Sequence, residues 1–467
     1  MVVHQERLKF GSGNLGWTPK VLACLTGKDA VFRDNEVSGG WLFFPAGSDW
    51  GSVCGGKMRI KKFINDRRKS ARLPLHPRSY SDDIPASGAW NIDQGAGNRN
   101  FVEVVNGQPF VLESGETLDY IVMAYETWGE LSPEGDNAIL VCHALTGDSH
   151  AYGDVEPSHS TPGWWNGLIG PGCALDTEKN FIVCINVLGG CQGSTGPASI
   201  NPKTGKPFGP DFPVVTIRDI VRCQRRVADH LGVEKWSCVV GGSMGGMQVL
   251  EWGVMFPDRV ASLAPLATTL RASAQQIAWS AIGRTALSLD PRFRGGNYYE
   301  AEPGDGPTAG IAIARSVAQT TYRSEGVYSD RFGRDLVDPR SIYGLWDRFQ
   351  VESYLDYHGE KLARRFDANS YLLLNRAMDL HDLERDRGSL KGALERIARV
   401  PVITLSISSD ALYPPYQQKE LQEAVIEAGG ECEYHTIDSP DGHDAFLLAV
   451  KEIGVHLERF LSKISTD

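Results

Sequence analysis

The stretch Trp236-Ser-Cys-Val-Val-Gly-Gly-Ser-Met-Gly-Gly-Met-Gln-Val-Leu250 constrains the fold of this chain more than any other. Its short, mostly apolar run bounded by glycines reads as a buried strand, and the run from Met244 reads as a helix, with Ser243 in the turn between them. Gly241-x-Ser243-x-Gly245 is the spacing of a nucleophile elbow, in which flanking glycines remove the Cβ atoms that would collide as the backbone doubles back. A helix starting directly after the serine aims free N–H groups and its positive dipole end at any oxyanion forming there. A glycine-rich strand-to-helix turn, or a phosphate-binding loop holding a serine by chance, satisfies the pentapeptide equally well. The rest of the chain must decide.

At 467 residues the chain exceeds the roughly 250–300 at which single cores stop growing, so one large core with a smaller unit or insertion is expected. A formal net charge of −11 argues against nucleic acid as a partner, because such binding rests on clustered Lys and Arg. The nine cysteines show no paired spacing and fall in segments reading as strand (Cys142, Cys184, Cys238) or helix (Cys223). That usage suits reduced thiols in a cytoplasmic protein. Without a CxxC or HExxH pattern no metal site is expected. No apolar run approaches the roughly 20 residues of a membrane span, and the N-terminus lacks the apolar core of a signal peptide. The basic segment Met58 to Arg72 reads as a solvated face in preference to a targeting element.

Residues 1–98 are rich in Gly, Pro and Ser and weakly periodic, and read as a poorly ordered extension. From Phe101 the pattern sharpens. Phe101–Val105, Pro109–Leu112 and Leu118–Tyr125 read as strands, with Asn106-Gly107 as a turn. Asn137–Cys142 and Phe181–Ile185 are continuous apolar runs, as in central strands covered on both faces. A helix begins after Thr216, which forms a capping box with Asp219; Ile217, Ile220, Val221, Val227, Ala228 and Leu231 share one face, with Gln224 out of character. Val260–Leu266 follows the elbow. From about 269 to 398 the strand signal disappears: Ile311–Tyr322, Ser341–Tyr357 and Lys361 through Met378 read as helices, an insertion that would form a lid. Strand character returns at Val400–Ser409 and Cys432–Ile437, and a helix is expected over Ala445–Leu461. The expected fold class is therefore α/β, a mostly parallel doubly wound sheet with an all-helical lid: core over 99–268 and 399–467, lid over 269–398.

A serine nucleophile needs a general base, and the base needs an orienting carboxylate. Asp410 ends one strand and His443 lies in the glycine-containing loop after the next, giving the order Ser, Asp, His of the α/β-hydrolase architecture. His435 falls inside a strand, His456 falls within a helix, and Asp438 and Asp441 lie after the last strand. The oxyanion hole would combine the N–H of Met244 with one from the loop after Asn137–Cys142, at Leu145. Water, an alcohol or another acceptor can discharge such an acyl-enzyme, so esterase, thioesterase and acyltransferase remain open on these residues alone. A lid would favour transfer by excluding water. A silent binding fold is disfavoured by the intact Ser, Asp and His.

Seven segments taken together, Tyr125-Glu-Thr-Trp-Gly-Glu-Leu131, His143-Ala-Leu-Thr-Gly-Asp-Ser-His150, Gly163–Gly172, Leu188–Pro197, Gly241–Gly246, Phe366-Asp-Ala-Asn-Ser-Tyr371 and Asp441-Gly-His-Asp-Ala-Phe446, resemble the homoserine O-acetyltransferase family. The resemblance covers about 101–465; residues 1–98 have no counterpart. It implies ping-pong transfer through Ser243, Asp410 and His443, from acetyl-CoA as co-substrate to the hydroxyl of L-homoserine, in methionine biosynthesis and without a bound cofactor. Arg315 matches the arginine that engages the amino-acid substrate and Asp444 the carboxylate that binds its amino group, although Arg323 and others lie near Arg315. A homodimer through the lid is likewise implied. Succinyl as donor and serine as acceptor stay open.

Overall fold

The computed structural model describes residues 80–105 and 107–464. The segment Met58 to Arg72, most of the expected N-terminal extension and Asn106 lie outside the described residues. The strands are β1 (Asn100–Glu103), β2 (Phe110–Val111), β3 (Thr117–Leu118), β4 (Val122–Trp128), β5 (Ala138–Cys142), β6 (Phe181–Ile185), β7 (Cys238–Gly242), β8 (Leu263–Leu266), β9 (Val402–Ile407) and β10 (Cys432–Ile437). Eight of them form one sheet in the order β1-β4-β6-β5-β7-β8-β9-β10, antiparallel at the two β4 pairings and parallel elsewhere. Every residue of β5 and β7 is buried. Both faces are therefore covered, which is why these strands read as unbroken apolar runs. Alternate residues sort to the two faces: Leu140, Val183 and Val239 join one core cluster, and Ile139, Ile182 and Val240 the other.

The helices are α1 (Ile217–His230), α2 (Met244–Met255), α3 (Ala274–Leu289), α4 (Thr308–Tyr322), α5 (Glu325–Phe332), α6 (Gln350–Ala363), α7 (Ala368–Asp379), α8 (Leu390–Glu395), α9 (Pro415–Glu427), α10 (Ala445–Leu448) and α11 (Val450–Ile464). The capping box of α1 forms as its sequence requires, Asp219 N–H donating to Thr216 Oγ1 at 3.2 Å and Thr216 N–H to Asp219 Oδ2 at 3.1 Å. Gln224 has a reason to sit on the apolar face. It is fully buried, donates to Gln248 Oε1 at 2.7 Å and accepts from Trp252 Nε1 at 2.9 Å, tying α1 to α2.

Helices α3 to α8 fill the interval between β8 and β9. Two expected helices end differently from the reading. Residues 341–349 are not helical, since Pro339 and Gly344 interrupt the approach to α6; and the run from Lys361 to Met378 breaks at 364–367, where Asp367 accepts from Ser370 N–H at 2.9 Å and starts α7 anew. The expected C-terminal helix is split at Ala449, whose ψ of 47° is not helical.

Residues 80–98 correct the expected extension. Ile84 is fully buried, Ser87 Oγ donates to Asp367 Oδ1 at 2.8 Å, and Trp90 N–H donates to the carbonyl of Cys191 at 2.9 Å. A Cβ on Gly88 would lie 2.3 Å from the Phe366 nitrogen, so this strap runs hard against the segment before α7. It is extended chain anchored by distant residues, and such contacts leave no local period to read.

Candidate active site

Register brings the ends of three strands level: Cys142 pairs with Gly241, and Gly242 with Leu266. Ser243 follows there, at φ 59° and ψ −124°, a backbone conformation that costs a non-glycine residue about 1–3 kcal/mol. Ser243 N–H donates to the carbonyl of Leu266 at 3.0 Å, and Thr268 Oγ1 donates to the Ser243 carbonyl at 2.8 Å. These bonds offset the strain. The glycine requirement is steric at Gly245, where a Cβ would stand 2.1 Å from the carbonyl oxygen of Cys142. α2 is buried along almost its whole length, so its N-terminus is fixed in apolar surroundings and Met244 N–H, at the first helical position, has no intrahelical acceptor.

The carboxylate and imidazole arrive from the far half of the sheet. Asp410 follows β9 and is 4% exposed; its Oδ1 accepts N–H bonds from Leu412 and Tyr413 at 2.8 and 2.9 Å, and its Oδ2 faces His443 Nδ1 at 2.7 Å. With three donors on one carboxylate, His443 must donate through Nδ1, which leaves Nε2 as the basic nitrogen. The His443 ring is walled by Tyr413, Phe446 and Tyr322, with centroids at 5.1, 5.1 and 5.9 Å. Phe446 closes on the elbow as well, since a Cβ on Gly242 would lie 2.3 Å from its ring. Tyr413 stands against the His443 ring, and burial raises its phenol pKa well above the ordinary value while neighbouring Ser243 acts in the opposite sense. Its neighbourhood to Asp410 in sequence was the signal that the sequence reading left unused.

Leu145 sits in the turn after β5 and is buried. His143, two residues earlier, accepts from Val187 N–H through Nε2 at 3.1 Å and meets the Ala144 carbonyl through Nδ1 at 2.8 Å. Burial lowers its pKa, consistent with a neutral ring. The His143 carbonyl accepts from Gln248 Nε2 at 3.0 Å, so α2 grips this turn too.

Asp444 has a partner that the sequence reading gave no role. Arg323 Nε lies 3.2 Å from Asp444 Oδ2, and Arg323 Nη1 lies 2.9 Å from Asp441 Oδ1. Arg315 has its guanidinium over the Tyr322 ring, 5.0 Å from its centre. Burial raises the Asp444 carboxyl pKa, and Arg315 and Arg323 act in the opposite sense. Arg323 is the direct partner of this carboxylate, and Arg315 bears on it through charge alone.

Glu126, His150 and His159, all buried, place one ligating atom each within 4.8 Å of one another, although no metal site was expected. The donor chemistry does not fit a cation. His150 uses Nδ1 on Glu126 Oε2 at 3.0 Å and Nε2 on the Asp154 carbonyl at 3.1 Å, Ser149 Oγ occupies Glu126 Oε1 at 2.7 Å, and the Arg99 guanidinium stands 3.2 Å from His159 Nδ1. The ring lone pairs are spent and a fixed positive charge adjoins them.

Residues 137–450 match the model of the alpha/beta hydrolase fold family. The homoserine O-acetyltransferase of Moorella thermoacetica is 50% identical over 356 residues, 76% of this chain and 94% of that protein. That of Thermobifida fusca is 47% identical over 380 residues, 81% of this chain and 98% of the relative. Among solved structures, homoserine O-acetyltransferase from Bacillus anthracis superposes with a TM-score of 0.72 at 28% identity, covering 78% of this chain and 97% of that one. Esterase E22 superposes with a TM-score of 0.71 at 26% identity, covering 78% and 99%.

Proposed function

The chain belongs to the homoserine O-acetyltransferase family, enzymes on the α/β-hydrolase fold, and on that premise we propose that it carries an acetyl group from acetyl-CoA to the hydroxyl of L-homoserine through an acyl-enzyme on Ser243. The observation that carries the reading is the buried Asp410–His443 pair at 2.7 Å, with Asp444 on the same turn as His443 and Arg315 of α4 acting on that carboxylate through its charge.

Each half-reaction balances on the same atoms. His443 Nε2 takes the Ser243 proton as Oγ attacks the thioester carbonyl, the Met244 and Leu145 N–H groups receive the oxyanion, and the C–S bond breaks as CoA leaves with the proton from His443. His443 then takes the proton of the homoserine hydroxyl, whose oxygen attacks the acyl carbonyl; Ser243 is released and regains its proton. Arg315 would hold the amino-acid carboxylate and Asp444 its ammonium, which fixes both ends and aims the hydroxyl. Because Asp444 already pairs with Arg323, the ammonium would compete with or join that pair. The enzyme would work as a homodimer joined through its helical layer.

The test is CoA release by the purified protein with L-homoserine, comparing acetyl-CoA and succinyl-CoA, with Ser243→Ala as the blank. Homoserine-dependent release with acetyl-CoA, lowered at least about 10³-fold in the variant, is the expected result. Release that ignores homoserine would place the chain with the esterases, the reading favoured by its likeness to esterase E22; release with succinyl-CoA alone would reassign the donor.

A further inference from the structure

The cluster around Glu126 has no part in the chemistry above, yet its bonds lead to the oxyanion turn. Both partners of the His150 ring, the Glu126 carboxylate and the Asp154 carbonyl, only accept, so both ring nitrogens must donate and the ring is an imidazolium. His159 faces the Arg99 guanidinium through Nδ1, which must therefore accept, and its neutral ring stacks on His150 at 3.9 Å with Nε2 3.1 Å from Glu126 Oε1. The charges acting on His150 are Glu126 from β4 and Asp148 from its own loop, while Arg99, from the segment before β1, meets the stacked His159 ring. Glu126 is held low, at about 2, by its bonds to His150, His159 and Ser149 against the cost of burial, and the His150 pKa is raised, the bond to Glu126 outweighing burial.

From this pair, bonds run outward in two directions. Ser149 donates through Oγ to Glu126 at 2.7 Å, and its N–H donates to Asn186 Oδ1 at 3.0 Å. Asn186 Nδ2 and Arg99 Nε both donate to the Gln192 carbonyl, at 2.6 and 3.1 Å. Gln192 Nε2 donates to the Arg365 carbonyl at 2.7 Å, and Arg365 Nη2 donates to the carbonyl of Thr146 at 2.9 Å. The path leaves the loop at Ser149 and returns to it at Thr146. Leu145 lies immediately before the returning contact.

We propose that Glu126, with His150 as its protonated partner, is a positioning residue that fixes the oxyanion turn at Leu145 through Ser149, Asn186, Gln192 and Arg365. Its charge sets the protonation of His150, and the paired ions anchor one end of the 143–150 loop while Arg365 anchors the middle. Misplacing an oxyanion donor costs rate in both half-reactions and leaves amino-acid binding alone, because neither Arg315 nor Asp444 belongs to this path of hydrogen bonds. The inference rests on the acyl-transfer reading for its kinetic consequence only.

Two measurements test it. In the unaltered full-length protein labelled at histidine ring nitrogens, the His150 ring, identified by the signal lost in His150→Gln, should carry two protons at pH 7; a neutral ring there overturns the proposal. In Glu126→Gln, His150 should become neutral, and kcat for acetyl transfer should fall about 10–100-fold, with the homoserine KM within about twofold. Acylation of Ser243 by a chromogenic acetyl ester, which needs no homoserine, should slow by the same factor; that readout survives if the acceptor assignment fails. Unchanged acylation overturns the proposal, as does one tightly bound metal per chain in the purified protein that Glu126→Gln loses. Should Glu126→Gln not fold, Ser149→Ala cuts the same path and is expected to slow acylation severalfold.

Discussion

Ser243 shows how a residue is prepared by its surroundings. Its strained backbone is held by Leu266 and Thr268, at and just beyond the end of a different strand, so the elbow exists only once β7 and β8 have paired. Asp410 is the second such residue: three donors converge on it, and two of them are backbone N–H groups that survive any change of tautomer at His443. Replacing it by Asn keeps the shape and presents His443 with an amide that forces the opposite tautomer. Asp410→Asn should therefore lower kcat by about 10²–10⁴-fold with little change in the homoserine KM, read by steady-state CoA release; a loss confined to KM would mean that Asp410 binds substrate. At this scale the elbow at Ser243 and the Asp410–His443 pair were legible, because Ser243, Asp410 and His443 each follow a strand in an order that the architecture dictates. Tyr413 and Arg323 were not, since an aromatic wall and a second arginine carry no spacing signal; Tyr413 comes from the loop after β9, and Arg323 from the end of α4 where it meets the loop after β10.

Elements explain the remaining errors of reading. α1 announced itself by its cap and its apolar face, and even its misfit, Gln224, has a bonded explanation. The helices of the insertion pack on one another, so their apolar residues face several neighbours and the periodicity runs across breaks such as 364–367. α6 carries a consequence of that crowding. His358 lies among Arg315, Arg323, Arg331 and Lys361, and burial with these charges lowers its pKa from the ordinary value to about 4. In the unfolded chain the ring takes a proton near pH 6.5, while in the folded chain it waits until about 4. Between those values the unfolded state binds more protons, so stability falls as pH falls, by up to one proton's worth of slope from this group. Urea midpoints at pH 7 and pH 4.5 should separate less in His358→Gln than in the parent; an equal separation would show that His358 titrates normally.

Across the whole molecule, two features escaped the sequence for opposite reasons. The strap over residues 80–98 was read as loose because its anchors, Asp367, Phe366 and Cys191, are hundreds or scores of residues away. The hairpin-like segment between α5 and α6, of which residues 341–349 were read as helix, presents apolar side chains to solvent: Tyr343 is 96% exposed and Leu345 75%, with Val337, Ile342 and Trp346 also exposed. Isolated exposed apolar residues need no explanation, but a contiguous set on one projecting segment of the helical layer marks a surface that gains by being covered. A second copy of the same chain is the occupant that fits the proposed homodimer, since a two-fold pairing buries the same patch twice. A stable pairing needs about 1,200–2,000 Å² in all, more than one hairpin supplies, so other exposed apolar positions of the helical layer, such as Ile282 and Leu289 of α3, would have to take part. Placing two carboxylates at the centre of such a patch, Tyr343→Asp with Leu345→Asp, should leave the triad untouched and convert a dimer to a monomer in sedimentation velocity at micromolar concentration. A parent protein that sediments as a monomer would remove the premise, and a doubly substituted protein that stays dimeric would move the interface elsewhere on the helical layer.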